Sequence, residues 1–143
     1  MMSLYDTDFY GWTQKQAELL RAGKLSELDT MNMIEEIESM GGSERRELES
    51  RLEVLFVHLL KWKFQPSHQG KSWLLTIKEQ RRKIARRLEK NPSLKRELPE
   101  MTVEAYGDAI ISATRETGLD ETVFPQDMPW TLAQALDGNF MPE

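Results

Sequence analysis

The sequence predicts an all-α protein: one domain spanning residues 1–143, a bundle of about five principal helices plus a short C-terminal helix. Three observations carry that expectation. Apolar residues recur at steps of three and four along most of the chain, the period of a helix with one buried face. No stretch alternates apolar with polar residues as a half-buried strand does. The breakers fall between the periodic stretches, at Gly23, Gly41 and Gly42, Pro66, Asn91 and Pro92, and Gly118.

Each element follows in order. Asp6 or Thr7 is placed to cap a first helix over about 7–22, in which Phe9, Trp12, Gln16 and Leu19 share a face and Gly23 supplies the left-handed residue past the end. Ser26 and Asp29 offer start signals for a second. Its apolar arc of Met31, Met33, Ile34, Ile37 and Met40 closes at the glycine pair, with Glu38 inside the arc and Glu35 and Glu36 at its rims. Ser43 is read as the cap of a third helix carrying Leu48, Leu52, Leu55, Leu59 and Trp62, flanked by His58 and stopped before Pro66. A fourth starts between Ser67 and Ser72 and runs to about Lys90; its stripe of Trp73, Ile77, Ile84 and Leu88 is interrupted by Gln80 and Arg81. Ser93 to Glu97 is a short turn, and Val103, Tyr106, Ile110 and Ala113 define a fifth helix ending at Gly118. In the tail "VFPQDMPWTLAQALDGNF" a short helix is expected, capped by Asp127, with Pro129 in its first turn and Gly138 closing it.

Composition narrows the chemistry. With 39% hydrophobic and 30% charged residues the chain suits a folded globular protein. No run nears the roughly 18 apolar residues that span a bilayer, and the acidic start "MMSLYDTDFY" lacks the basic opening of a signal peptide, so the expected location is the cytoplasm, without membrane contact. The absence of cysteine removes disulfides, thiolate zinc sites and thiol nucleophiles. The net charge of −5 conceals a segregation: residues 1–60 hold 12 acids and 6 bases, residues 61–90 hold 10 bases and 2 acids, and residues 91–143 hold 10 acids and 3 bases. Such asymmetry speaks to partners, not to fold.

In the order "DFYGW", "MIEEIESMG", "ESRLEVLFVHLLKW", "SWLLTIKEQRRKI", "NPSL", "AY", "ETGL", "FP" and "PWTLAQAL", the chain resembles a bacterial family catalogued as a domain of unknown function, number twenty-nine of its series. The resemblance covers nearly the whole chain and implies a compact helical fold with no assigned activity. It also implies that Glu35, Glu36, Glu38, His58, Gln80, Arg81 and Arg82 are the family's recurring polar positions.

Four readings of the unusual residues follow. In the structural one, Glu35, Glu38, His58, Gln80 and Arg81 form a buried polar network, because a charge in an apolar interior must be paired or costs several kcal/mol. In the metal one, Glu35 and Glu38 on one helix face meet His58 from an antiparallel neighbour; the Glu-x-x-His signature of bundle metal sites is absent, since Leu55 precedes His58 and Gln65 precedes His68, so no metal and no cofactor is expected. In the third, Lys78, Arg82, Arg86 and Lys90, with Lys83 beside them, make one basic face of the fourth helix for nucleic acid or an acidic partner. A calculated pI near 5.2 opposes nucleic acid. In the fourth, 8 methionines and 4 tryptophans supply adaptable contact surface for a protein partner or for a second copy in a homo-oligomer. No catalytic set emerges, because the serines sit at caps and no glycine-rich turn presents a nucleophile. The expected role is a small protein-interaction or regulatory module.

Overall fold

The computed structural model describes residues 2–143, and the regular elements among them are all helical. Six α-helices follow in order: α1 (Leu4–Thr7), α2 (Phe9–Arg21), α3 (Thr30–Phe64), α4 (Lys71–Lys90), α5 (Leu98–Thr117) and α6 (Leu132–Leu136), joined by short 3-10 turns. The all-α expectation holds, and Gly23 and Gly118 take the positive φ values of 71° and 73° that let a helix end in a left-handed residue. Helix α3 ends before Pro66, α4 ends before Asn91 and Pro92, and Pro99 occupies the first turn of α5.

Three boundaries differ from the sequence reading. The expected first helix is two: Ser3 caps α1, and Asp8 caps α2 by accepting a hydrogen bond from the Gly11 amide at 3.0 Å. A Cβ on Gly11 would lie 2.4 Å from an Asp8 carboxylate oxygen, so this cap depends on glycine there. The glycine pair does not break the chain. Gly41 and Gly42 lie inside the single 35-residue helix α3, which replaces the expected second and third helices. A mid-helix glycine costs only about 1 kcal/mol, and good helix formers with Arg45–Glu49 and Glu47–Arg51 ion pairs at i,i+4 follow directly. Finally, α6 is capped by Thr131 in a reciprocal box with Gln134 rather than by Asp127, because only Thr131 has a glutamine three residues on to return the bond.

The chain divides into two compact units, Met1–Ser43 and Glu44–Glu143. In the first, Tyr5, Phe9 and Trp12 cluster with ring centroids 4.9–5.7 Å apart, and Trp12 and Gln16 are buried. The second holds the larger core: Leu52, Leu55, Phe56 and Leu59 of α3 meet Ile77 and Ile84 of α4, Met101, Ala105 and Ala109 of α5, and Phe124 and Trp130 of the tail. Of the expected stripes, Leu48, Leu52, Leu55, Leu59, Ile77, Ile84, Leu88, Tyr106, Ile110 and Ala113 lie in this core, whereas Trp62 and Trp73 are half-buried and Val103 is exposed; Phe56, Leu60, Met101, Ala105 and Ala109 join it from outside those stripes. No helix among the described residues is long and apolar enough to cross a membrane.

Candidate interaction surfaces

In the first unit, α2 and the start of α3 leave a groove of about 450 Å³ between them, walled by Phe9, Trp12 and Leu20 on one side and Met33, Ile37 and Met40 on the other. Its base is fixed by a polar knot. Asp29 accepts from the Trp12 indole N–H at 2.9 Å and from the Asn32 side-chain amide at 2.8 Å, while Gln16 accepts from the Asp29 backbone amide at 2.8 Å. The Asn32 and Trp12 hydrogen bonds hold the Asp29 carboxyl below its ordinary range. Tyr5 donates to Glu36 at 3.1 Å, giving that glutamate a structural partner at the groove's edge. The walls stay open to solvent: Phe9 is 49% exposed, Leu20 47%, Ile37 63% and Met40 68%. With about 200 Å² for each whole residue, these fractions leave roughly 450 Å² of apolar surface, the size of the largest patch on a typical monomer. The unit carries eight acids and three bases, a formal charge of −5.

The expected polar network does not assemble around Glu38. Glu35 and Glu38 are exposed, whereas Arg81 is buried and donates from Nε to the Ala135 carbonyl at 2.8 Å and from a terminal nitrogen to the Phe140 carbonyl at 2.7 Å. Backbone carbonyls, not a carboxylate, answer the buried guanidinium. Gln80 accepts from Arg51 at 3.3 Å, and His58 places Nδ1 2.8 Å from the Val54 carbonyl of the preceding turn. Burial pushes the His58 imidazole below its ordinary pKa, against the pull of that carbonyl. The candidate metal ligands are arranged otherwise than the sequence suggests. Glu35, Glu38 and His58 stand on one continuous helix rather than on antiparallel neighbours, and no group of three metal-binding side chains occurs among the described residues.

The basic face of α4 is present as expected, with Lys78, Arg82, Arg86 and Lys90 exposed and Lys83 half-buried. Sequence reasoning missed its inner edge. Arg87 donates to Glu44 and to Glu47, each at 2.9 Å, and Arg51 donates to the same Glu47 oxygen at 3.0 Å. The Arg51 hydrogen bond, with Arg87 beside it, holds the Glu47 carboxyl below its usual range. The signal was available: Glu44, Glu47 and Arg51 follow at steps of three and four on α3, and Lys83 and Arg87 are four apart on α4.

The family described as "Domain of unknown function DUF29" matches residues 4–141, and the chain belongs to it. No curated protein and no solved structure matches the chain.

Proposed function

We propose that this DUF29 member is a protein-interaction module whose N-terminal unit receives an amphipathic helix from a partner protein. One observation carries the reading: Phe9, Leu20, Ile37 and Met40 line one groove and are each about half exposed or more. Apolar side chains gathered in a groove, rather than scattered singly, are what a helix with anchors at i, i+3 and i+7 fits. Met33 and Met40 add unbranched side chains that adapt to an incoming surface. The unit's charge of −5, with Glu36 on the wall and Glu35 and Glu38 exposed nearby in sequence, favours a partner helix whose apolar stripe is flanked by lysine or arginine.

The test is a panel of synthetic helical peptides sharing one apolar stripe and differing in flanking charge, titrated into the full chain while the Trp12 indole proton is followed by NMR. Lysine-flanked members are expected to shift that resonance and to bind at least tenfold more tightly than glutamate-flanked ones. Ile37→Asp is expected to abolish the shift with helix content unchanged. A panel in which no member binds, or in which Ile37→Asp leaves affinity intact, ends this reading.

A further inference from the structure

A second surface, independent of the groove, lies in the Glu44–Glu143 unit. A cleft of about 310 Å³ is lined only by cationic side chains: Arg51 from α3 and Lys83, Arg86, Arg87 and Lys90 from α4. It adjoins a groove of about 450 Å³ that shares Lys83 and Arg86 and adds Lys78 and Arg82. Like charges converge in this way at a cost unless something holds them. Glu44 and Glu47 grip Arg87 and Arg51 from the side, and Glu79 pairs with Lys83. These carboxylates brace the cations without cancelling them: seven positive groups against three negative leave an excess of four. Among the described residues Lys78, Arg82 and Arg86 make no ion pair at all, and Lys90 reaches Glu44 only at 4.0 Å.

The spacing specifies the complement. Lys78, Arg82, Arg86 and Lys90 recur every four residues, so their roots advance about 6 Å per step along one helix face. A row of discrete anions is the shape that such a ladder meets. Arginine presents several N–H donors in a planar fork that matches a tetrahedral oxyanion by two bonds at once. Among the described residues no aromatic side chain lines either depression, and the Trp73 ring of the same helix already has the Lys61 ammonium 5.2 Å from its centroid. A ligand held here is therefore recognised by its charges and not by bases.

We propose that the α4 row together with Arg51 binds ligands carrying several phosphate groups in series, without sequence preference. Two sources offer that chemistry, a free oligophosphate and a nucleic-acid strand, and the assay separates them. The whole protein is titrated with inorganic triphosphate and with a fluorescent twelve-residue oligothymidylate, polyglutamate serving as a carboxylate control. Four phosphate contacts predict a log–log salt slope of roughly −3 for the oligonucleotide. Arg82→Glu combined with Arg86→Glu is expected to weaken binding at least tenfold. Lys95→Glu combined with Arg96→Glu, exposed cations outside the row, is expected to change it less than twofold. Triphosphate alone binding assigns the site to a small anion in the Arg51 cleft; the oligonucleotide binding as well assigns it to a strand along the whole row. Silence from both ligands, polyglutamate binding as tightly as either, or equal losses in the two double variants would each overturn the proposal.

Discussion

Replacing Arg81 tests the packing logic of the second unit most directly. The side chain is 9% exposed, its two hydrogen bonds of 2.8 and 2.7 Å end on carbonyls, and burial drives its pKa down while the nearby charge of Asp137 opposes the fall. Ala135 lies in the last turn of α6, where helix carbonyls lack intrahelical partners, so the guanidinium closes that helix and ties the following Phe140 to α4. A hydrogen bond from a charged donor contributes about 1.5–3 kcal/mol. The Ala135 bond is buried and takes a middle value, whereas the Phe140 carbonyl rehydrates more easily and takes less. Removing the buried charge returns part of the sum. Arg81→Met, which keeps the apolar stem, should then cost about 2–3 kcal/mol, or about 10 °C of melting temperature in a chain of this length. Arg81→Lys should recover about half, since one ammonium reaches one carbonyl well. Urea unfolding gives the free energy, and amide exchange over residues 132–140 shows whether the tail has loosened. Glu38→Gln is the internal comparison, expected within about 0.5 kcal/mol of the native chain as an exposed substitution. An Arg81→Met variant as stable as the parent, or a Glu38→Gln loss as large and non-additive with it, would refute the carbonyl account.

Three further outcomes are expected. Gly41→Ala should stabilise by about 0.5–1 kcal/mol, because the position is helical with open space around a new Cβ; destabilisation in a thermal melt would mean a turn there. His58, held below 6.5 by burial, binds its proton more readily unfolded, so stability is full above pH 6.5 and declines as pH falls from 6.5 toward the lower folded value; His58→Phe should flatten this part of the stability–pH curve. Tyr106 donates to the Pro125 carbonyl at 2.6 Å and its phenol is pushed up to about 12 by burial. Stability should therefore fall as pH rises above 10, where the unfolded phenol ionises, and Tyr106→Phe should remove both that fall and the absorbance step near pH 12 at a cost of about 1 kcal/mol at neutral pH.

The larger core was legible because burial and helical period are one signal: Leu48, Leu52, Leu55 and Leu59 could face only one way. Two misjudgements share a cause. Gly41 and Gly42 suggested a turn because a glycine pair is permissive, yet permission is not a requirement, and both positions stay helical. Once that turn was assumed, Glu38 and His58 fell on facing helices and Arg81 acquired a carboxylate partner. The true partners of Arg81 are main-chain oxygens, which every residue carries and no sequence pattern marks. The apolar arc of Met33, Ile37 and Met40 was legible as an arc, while the exposure of Ile37 and Met40 was not. Periodicity reports that a face is apolar but not whether the chain itself covers it.

The two proposed surfaces respond to salt to very different degrees, and that difference ties each to its own physics. Docking in the Phe9–Met40 groove is driven by apolar burial, with flanking charges setting partner choice and association rate more than affinity. Raising monovalent salt fourfold should weaken a lysine-flanked peptide only a few-fold, and sulfate, excluded from apolar surface, should restore part of the loss. Phosphate binding along α4 releases counterions, and a slope near −3 over the same fourfold change predicts a loss of about 50-fold. Ile37→Asp should change the first titration and leave the second within error; Arg82→Glu with Arg86→Glu should do the reverse. A peptide whose affinity falls as steeply as the oligonucleotide's is being held by charge, and the groove would then be exposed apolar surface without a docking role.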